Sequence, residues 1–232
     1  DSDASESSHD TQVLQTTKDG NEIILKILII GDVATGKTSF IKRYVHKFFS
    51  THYRATVGVD FALKVLQWED GTIIRLQLWD LAGQERFESM SRIYFKEAVG
   101  AFVVFDVSNP KSFAEALKWK KDLDSKVTLP DGSRISCVLL ANKCDLPKEG
   151  IANDLALLNE VCQDQEFVAW FYTSPKDNIN IERAANRLVA HILKRLREQE
   201  NGIVKDENNI TLTAEKSEET TAMQQQEKKT CC

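Results

Sequence analysis

The residues best placed to do chemistry are gathered in Gly31-Asp32-Val33-Ala34-Thr35-Gly36-Lys37-Thr38, with Ser39 directly after. Two glycines at this spacing, followed by Lys and Thr, describe a loop that wraps phosphate groups. Glycine lets the backbone curl closely, so that consecutive N–H groups point inward as an anion nest at a helix N-terminus. Lys37 is placed to reach the terminal phosphates of a nucleotide, and the Thr38 hydroxyl to ligate Mg²⁺. A second group is Leu76-Gln77-Leu78-Trp79-Asp80-Leu81-Ala82-Gly83-Gln84. A carboxylate ending a strand beside a phosphate loop suits Mg²⁺, which assigns Asp80 to the metal with Thr38. Gly83 can offer its N–H to a γ-phosphate, and Gln84 can orient an attacking water. Asn142-Lys143-Cys144-Asp145 forms the third group. Asp145 can accept from both the N1–H and the exocyclic amine of guanine, a donor pair that adenine lacks. The aliphatic stem of Lys143 can lie over the base.

These groups need elements to hold them. The apolar run Ile23–Ile30 precedes the phosphate loop and Ser39–Val45 reads as the opening of a helix, so strand, loop and helix follow in the required order. Val59–Trp68 and Thr72–Asp80 read as two strands joined by a tight turn at Glu69-Asp70-Gly71. Ala101–Val107 and Ile135–Ala141 are nearly continuous apolar runs, the pattern of strands buried on both faces. Phe167–Tyr172 supplies a last strand. Helices are expected at Phe87–Glu97, Ser112–Ser125, Asn153–Gln163 and Ile179–Gln199. In the last of these, Ile181, Ala184, Ala185, Leu188, Val189, Ile192 and Leu196 form one apolar stripe. The expected architecture is therefore α/β: a mainly parallel six-stranded sheet flanked by helices, over residues 22–199. Residues 1–21 and 200–232 are polar and charged, with little to bury, and read as disordered tails.

Composition narrows the setting. The chain has 232 residues, 42% of them hydrophobic, and a formal charge of −5, so a real core is expected and nucleic acid is not the expected partner. No run reaches the ~18 apolar residues of a transmembrane helix. The N-terminus lacks a basic-then-apolar leader, and five cysteines suit a reducing, cytosolic compartment. The histidines at positions 9, 46, 52 and 191 have no ligand-like spacing. Cys137, Cys144 and Cys162 are most simply buried or structural thiols.

Taken together, the three groups resemble the small GTPases. Val57-Gly58-Val59-Asp60-Phe61, Arg86-Phe87-Glu88-Ser89-Met90-Ser91, Tyr94-Phe95-Lys96-Glu97-Ala98 and Val103-Val104-Phe105-Asp106-Val107-Ser108 are similar to the marker segments of the Rab family. Gly58–Val65 and the Leu129-Pro130-Asp131-Gly132 loop look most like the Rab subgroup that serves lysosome-related organelles. The resemblance implies a small G domain that binds GTP and GDP with Mg²⁺, hydrolyses GTP, and recruits effectors in vesicle trafficking. It implies that Thr56 joins the metal and the γ-phosphate, and that Phe49 stacks on guanine. Phe61, Trp79 and Tyr94 match an aromatic triad read by effectors, with plain core packing as the alternative. Implied partners are an exchange factor, a GTPase-activating protein, a prenylation escort protein and effectors, at the cytoplasmic face of intracellular membranes of endolysosomal or lysosome-related type, with a cytosolic pool.

Two departures from the family pattern bear on mechanism. Val33 stands where a small residue is usual, and its branched side chain would crowd the γ-phosphate and any incoming arginine, so slow hydrolysis is expected. Thr173-Ser174-Pro175-Lys176 replaces the usual Ser-Ala-Lys. The residue at the alanine position donates its N–H to guanine O6, and proline has none. Asp145 would still select guanine, so weakened affinity rather than lost specificity is expected, with Ser174, Pro175 and Lys176 flanking the base. The final Cys231-Cys232 does not fit a Cys-a-a-X box but resembles the doubly prenylated end of Rabs, and two lipid chains suffice for stable anchoring. The tail from Glu200 carries no basic excess, so both lipids would be required. An unmodified terminus is the alternative. A GTP-locked scaffold with little turnover and a metabolic P-loop kinase are rival functions. The Asn142–Asp145 group, the Gln84 region and the terminal cysteines speak against the kinase.

Overall fold

The computed structural model describes residues 22–68, 71–83 and 93–199. Six strands form one sheet in the order β2-β3-β1-β4-β5-β6. β1 is Glu22–Gly31, β2 Val59–Gln67, β3 Ile73–Leu81, β4 Gly100–Asp106, β5 Ser136–Asn142 and β6 Ala169–Thr173. β1 runs parallel to β3 and β4, and β4–β5 and β5–β6 are also parallel. Only β2 is antiparallel, paired with β3 so that Phe61 faces Trp79 and Asp60 faces Asp80. Every residue of β4 and β5 is buried, as continuous apolar runs covered on both faces require. β2 is an edge strand and alternates between half-buried and exposed residues. Trp68 N–H donates to Thr72 O across the hairpin, but Glu69 and Asp70 of the expected turn lie outside the described residues.

The helices are α1 (Lys37–His46), α2 (Pro110–Lys126), α3 (Leu155–Asp164) and α4 (181–199). Their boundaries follow capping chemistry more closely than apolar spacing does. α2 begins two residues before the expected Ser112, because the Asn109 side chain accepts from Lys111 N–H at 3.2 Å and Pro110 occupies the first turn. α3 begins at Leu155 rather than Asn153: Asp154 caps it by accepting from Leu157 N–H at 3.0 Å, and Gly150–Asn153 form a separate 3₁₀ turn. The last strand likewise starts at Ala169, not Phe167. Phe167 is a buried core residue following Glu166, which has a left-handed φ of 56°. α4 starts at 181 rather than Ile179, because Ile179 pairs with Ser174 in a short antiparallel bridge. Of the expected helix Phe87–Glu97, residues 93–95 are helical and residues 87–92 lie outside the described residues.

One hydrophobic cluster joins Leu28, Ile30, Val103, Phe105, Leu139 and Ala141 of the sheet to Ala116, Trp119 and Leu123 of α2. Beneath α1, Phe40 packs on Phe102 with ring centres 5.1 Å apart and stacks on Tyr44. By contacts the chain divides into Asp1–Val189 and Ala190–Cys232. The described part of the second unit is the end of α4, where Lys194 and Glu198 pair across one turn at 3.7 Å. Among the described residues no helix is long and apolar enough to cross a membrane.

Candidate functional site

The five parallel strands deliver their carboxyl ends to one edge of the sheet: Gly31, Asp80-Leu81, Asp106, Asn142 and Thr173. Sheets of this kind bind ligands at that edge, where strand order reverses. The loop Gly31–Gly36 folds back on itself there. Thr35 Oγ1 donates to Asp32 O at 2.9 Å, and Val33 N–H donates to the Asp32 carboxylate at 2.7 Å. Gly36 has φ 96°, and a Cβ on it would lie 2.4 Å from Asn142 Nδ2, so only glycine lets the two loops meet. Phe40 N–H donates to Gly36 O, starting α1 directly from the loop. Lys37 is buried, and its ammonium donates to the carbonyls of Gly31 (3.0 Å) and Asp32 (2.8 Å). Burial pushes its pKa down to about 8, against the opposing pull of Asp80 and Asp32. A desolvated cation ringed by carbonyls is electrostatically suited to a polyanion.

Beside this loop three oxygen-bearing side chains converge. Thr38 Oγ1 lies 2.7 Å from Thr56 Oγ1 and donates to Asp80 Oδ2, which Thr56 Oγ1 also approaches at 3.5 Å. Asp80 is buried, and its other carboxylate oxygen has no hydrogen-bond partner. Burial raises the Asp80 pKa, offset in part by the Thr38 hydrogen bond and by Lys37. Two hydroxyls and one buried carboxylate with a spare oxygen are hard donors, the chemistry that a Mg²⁺ ion takes together with phosphate oxygens and water. The residues fit the ion. Gly83 sits close by: a Cβ there would lie 2.3 Å from Val33 N and 2.7 Å from Val33 Cα. Val33 itself is 39% exposed at the mouth of the loop. Gln84, expected to orient water, lies outside the described residues.

The third sequence group meets the first through Asn142. Its Nδ2 donates to Thr35 O at 2.8 Å, and its Oδ1 accepts from Thr173 Oγ1 at 3.0 Å, all buried. Asp145 accepts from Ser174 Oγ at 2.7 Å and from the Lys176 ammonium at 3.5 Å. Burial alone would raise its pKa, but the hydrogen bonds from Ser174, the backbone and Lys176 outweigh it and hold the group below the usual range. Asp145 is therefore an ionised acceptor. Ser174, Pro175 and Lys176 belong to a tight turn closed by paired backbone hydrogen bonds between Ser174 and Ile179. Phe49 is half-buried in the segment that follows α1.

The expected aromatic triad is partly assembled. Phe61 is 51% exposed and meets Trp79 edge-on with centroids 5.6 Å apart. Trp79 and Tyr94 are partly buried, and both pack against the core cluster. Lys26 stands 4.3 Å over the Trp79 ring and donates to Lys96 O at 2.7 Å. Cys231 and Cys232 lie outside the described residues, as do Arg86–Ser91 of the marker segments.

Sequence reasoning missed two side chains of this edge. Asp106 ends β4; its carboxylate accepts from the Lys143 ammonium at 2.7 Å and from Ser108 N–H and Oγ at 2.9 and 2.7 Å. It anchors Lys143, whose backbone is left-handed at φ 62°. The logic that flagged Asp80, a carboxylate closing a buried strand, applies equally to Asp106. The other is Arg43, for which no local signal exists.

Comparison with known proteins agrees with this geometry. The Ras family model matches residues 26–194. The chain is 60% identical over 172 residues to the Ras-related protein Rab-32 of Homo sapiens, covering 74% of this chain and 76% of that protein. It is 57% identical over 175 residues to Rab-32A of Dictyostelium discoideum, covering 75% and 80%. It is 46% identical over 194 residues to Rab-7L1 of Mus musculus, covering 84% and 94%.

Proposed function

The chain belongs to the Ras family, as a Rab small GTPase that binds guanine nucleotide and hydrolyses GTP to GDP, and from that premise we propose that it is a slowly hydrolysing, membrane-attached switch that recruits effectors in trafficking to endolysosomal or lysosome-related compartments. The observation that carries the switch is the Thr56 hydroxyl, 2.7 Å from that of Thr38. It links the segment between α1 and β2 to the phosphate loop, so a ligand on that loop can bias the segment's position.

In this reading Gly31–Thr38 and Ser39 cradle the phosphates, Lys37 neutralises their charge, and Gly83 offers its N–H toward the γ-phosphate. Thr38, Thr56 and Asp80 hold Mg²⁺, which when bound neutralises charge on the β- and γ-phosphates. Gln84 orients the water, and the γ-phosphoryl group passes to it by positioning and charge neutralisation. Asn142 locks the base loop to the phosphate loop, Asp145 reads guanine, Lys143 and Phe49 flank the base, and Ser174, Pro175 and Lys176 close around it. The exposed Phe61 with Trp79 and Tyr94 forms an effector face, and Cys231 and Cys232 carry two prenyl groups. Regulators of the usual kinds (exchange factor, GTPase-activating protein, prenylation escort) complete the cycle.

Slow turnover is tested by single-turnover hydrolysis of GTP-loaded protein and its Val33→Gly variant. The expected result is a slow wild type and a several-fold faster variant, with and without an activating protein. Equal rates refute the crowding argument. GTP that persists unchanged in both proteins makes the chain a nucleotide-locked scaffold. Attachment is tested by cell fractionation of the Cys231→Ser/Cys232→Ser double variant, which should leave the membrane fraction; a variant that stays membrane-bound refutes lipidation at these cysteines.

A further inference from the structure

Arg43, on the last turn of α1, uses its planar guanidinium to grip three backbone carbonyls at once. Nε donates to Pro175 O at 2.5 Å, Nη2 to Lys176 O at 3.1 Å and Nη1 to Lys47 O at 2.9 Å. Pro175 lies 132 residues further along the chain. Lys47 is the residue that ends α1, with φ 62°, and its N–H donates back to Arg43 O at 3.1 Å. Two residues later comes Phe49. One side chain thus joins the helix leaving the phosphate loop, the chain running toward Phe49 and Thr56, and the turn that flanks Asp145.

We propose that Arg43 is a positioning residue that sets how long guanine nucleotide stays bound, by clamping the Ser174–Lys176 turn to the end of α1. The proposal rests on the assignment of that turn to the base. Proline at 175 has no N–H, so the next backbone donor after Ser174 is Lys176 N–H. A peptide unit is planar, so fixing the Pro175 carbonyl fixes the direction of the Lys176 N–H. The other restraints on the turn are the Ser174–Ile179 backbone pair, the Ser174 hydroxyl, which donates to Asp145 at 2.7 Å and accepts from Asp177 N–H at 3.1 Å, and the Lys176 ammonium, 3.5 Å from Asp145. None of them bonds the peptide between 175 and 176. Arg43 does so, and it is charged, which strengthens its bonds to carbonyls. Lysine carries its donors on one nitrogen and cannot span all three acceptors.

The test uses the full chain loaded with a ribose-labelled fluorescent GDP. Dissociation is timed for the wild type, Arg43→Ala and Arg43→Lys, with hydrogen–deuterium exchange followed on the same GDP-loaded proteins. Loss of two clamping bonds should speed release about tenfold in Arg43→Ala, with Arg43→Lys in between. Deuterium uptake should rise in peptides covering 173–180 and stay level in β4. Unchanged release, or uptake that rises equally in β4, overturns the clamp in favour of a general contribution to stability. If Arg43→Ala does not fold, Arg43→Lys decides by the same two readouts. Failure of the wild type to bind GDP would instead refute the base-loop assignment itself.

Discussion

Asn142→Ala removes the side chain that bonds the base loop to the phosphate loop. It deletes the bond from Nδ2 to Thr35 O (2.8 Å) and the bond from Thr173 Oγ1 to Oδ1 (3.0 Å), in a site where Asn142 and Thr173 are 1% and 0% exposed. Neither Thr35 O nor Thr173 Oγ1 can then turn to water without loop movement. Losing the Thr173 bond at about 0.5–1.5 kcal/mol and orphaning the buried Thr35 carbonyl at about 1–3 kcal/mol give a loss of about 2–4 kcal/mol. In a domain of this size that is a fall of roughly 5–15 °C in melting midpoint. If the strain is released in the loops instead, it appears as roughly 30- to 1000-fold weaker GDP binding. The assay is thermal unfolding of GDP-loaded protein at fixed free GDP, with GDP dissociation timed in parallel. Asn142→Asp keeps the acceptor for Thr173 but turns a carboxylate oxygen toward Thr35 O, so it should be no better than alanine. A midpoint within about 1 °C of wild type together with unchanged GDP release would refute the coupling between the loops.

Three further outcomes follow from the same geometry. Gly83→Ala places a methyl carbon 2.3 Å from Val33 N; the two backbones must separate, so release of a non-hydrolysable GTP analogue should accelerate more than release of GDP, and equal acceleration refutes it. Pro175→Ala restores an N–H to a turn that Arg43 already holds, and should slow GDP dissociation several-fold, about 0.5–1.5 kcal/mol for one hydrogen bond; identical rates would show that no donor was missing there. Burial pushes the thiols of Cys137 and Cys162 up to about 12 from 9.0. Folded thiols therefore keep protons that unfolded ones release, and this contribution to stability is complete below pH ~8.5 and declines as pH rises toward 12. Labelling by a disulfide reagent in the folded protein should stay slow at Cys137 and Cys162 from pH 7.5 to 9.5 and climb only after denaturation; labelling of folded Cys137 that rises with pH over that range would contradict the burial.

The sequence by itself determined the order of strand, loop and helix, because glycine conformation, apolar runs and the chemistry of Lys, Thr and Asp act over a few residues. From that alone came the six strands, the phosphate loop, Asp80 and Asp145. Helix starts were less legible, because the polar caps at Asn109 and Asp154 that define them stand outside the apolar spacing, so α2 starts two residues before and α3 two residues after the position that spacing suggests. Tertiary structure alone decided which polar groups meet across the chain. Thr35 O and Asn142 are 107 residues apart, and Arg43 and Pro175 are 132 apart. The register of the parallel strands brings their carboxyl ends together, placing Asp106 opposite Asn142 and Asn142 opposite Thr173. A hydrogen bond requires its atoms within about 3 Å, a condition that residue type cannot state. Hence Arg43, and the partners of Asp106, became visible only in the fold. The residues proposed to contact phosphate and guanine were legible because their chemistry is local; the long-range bonds that hold them in place were not.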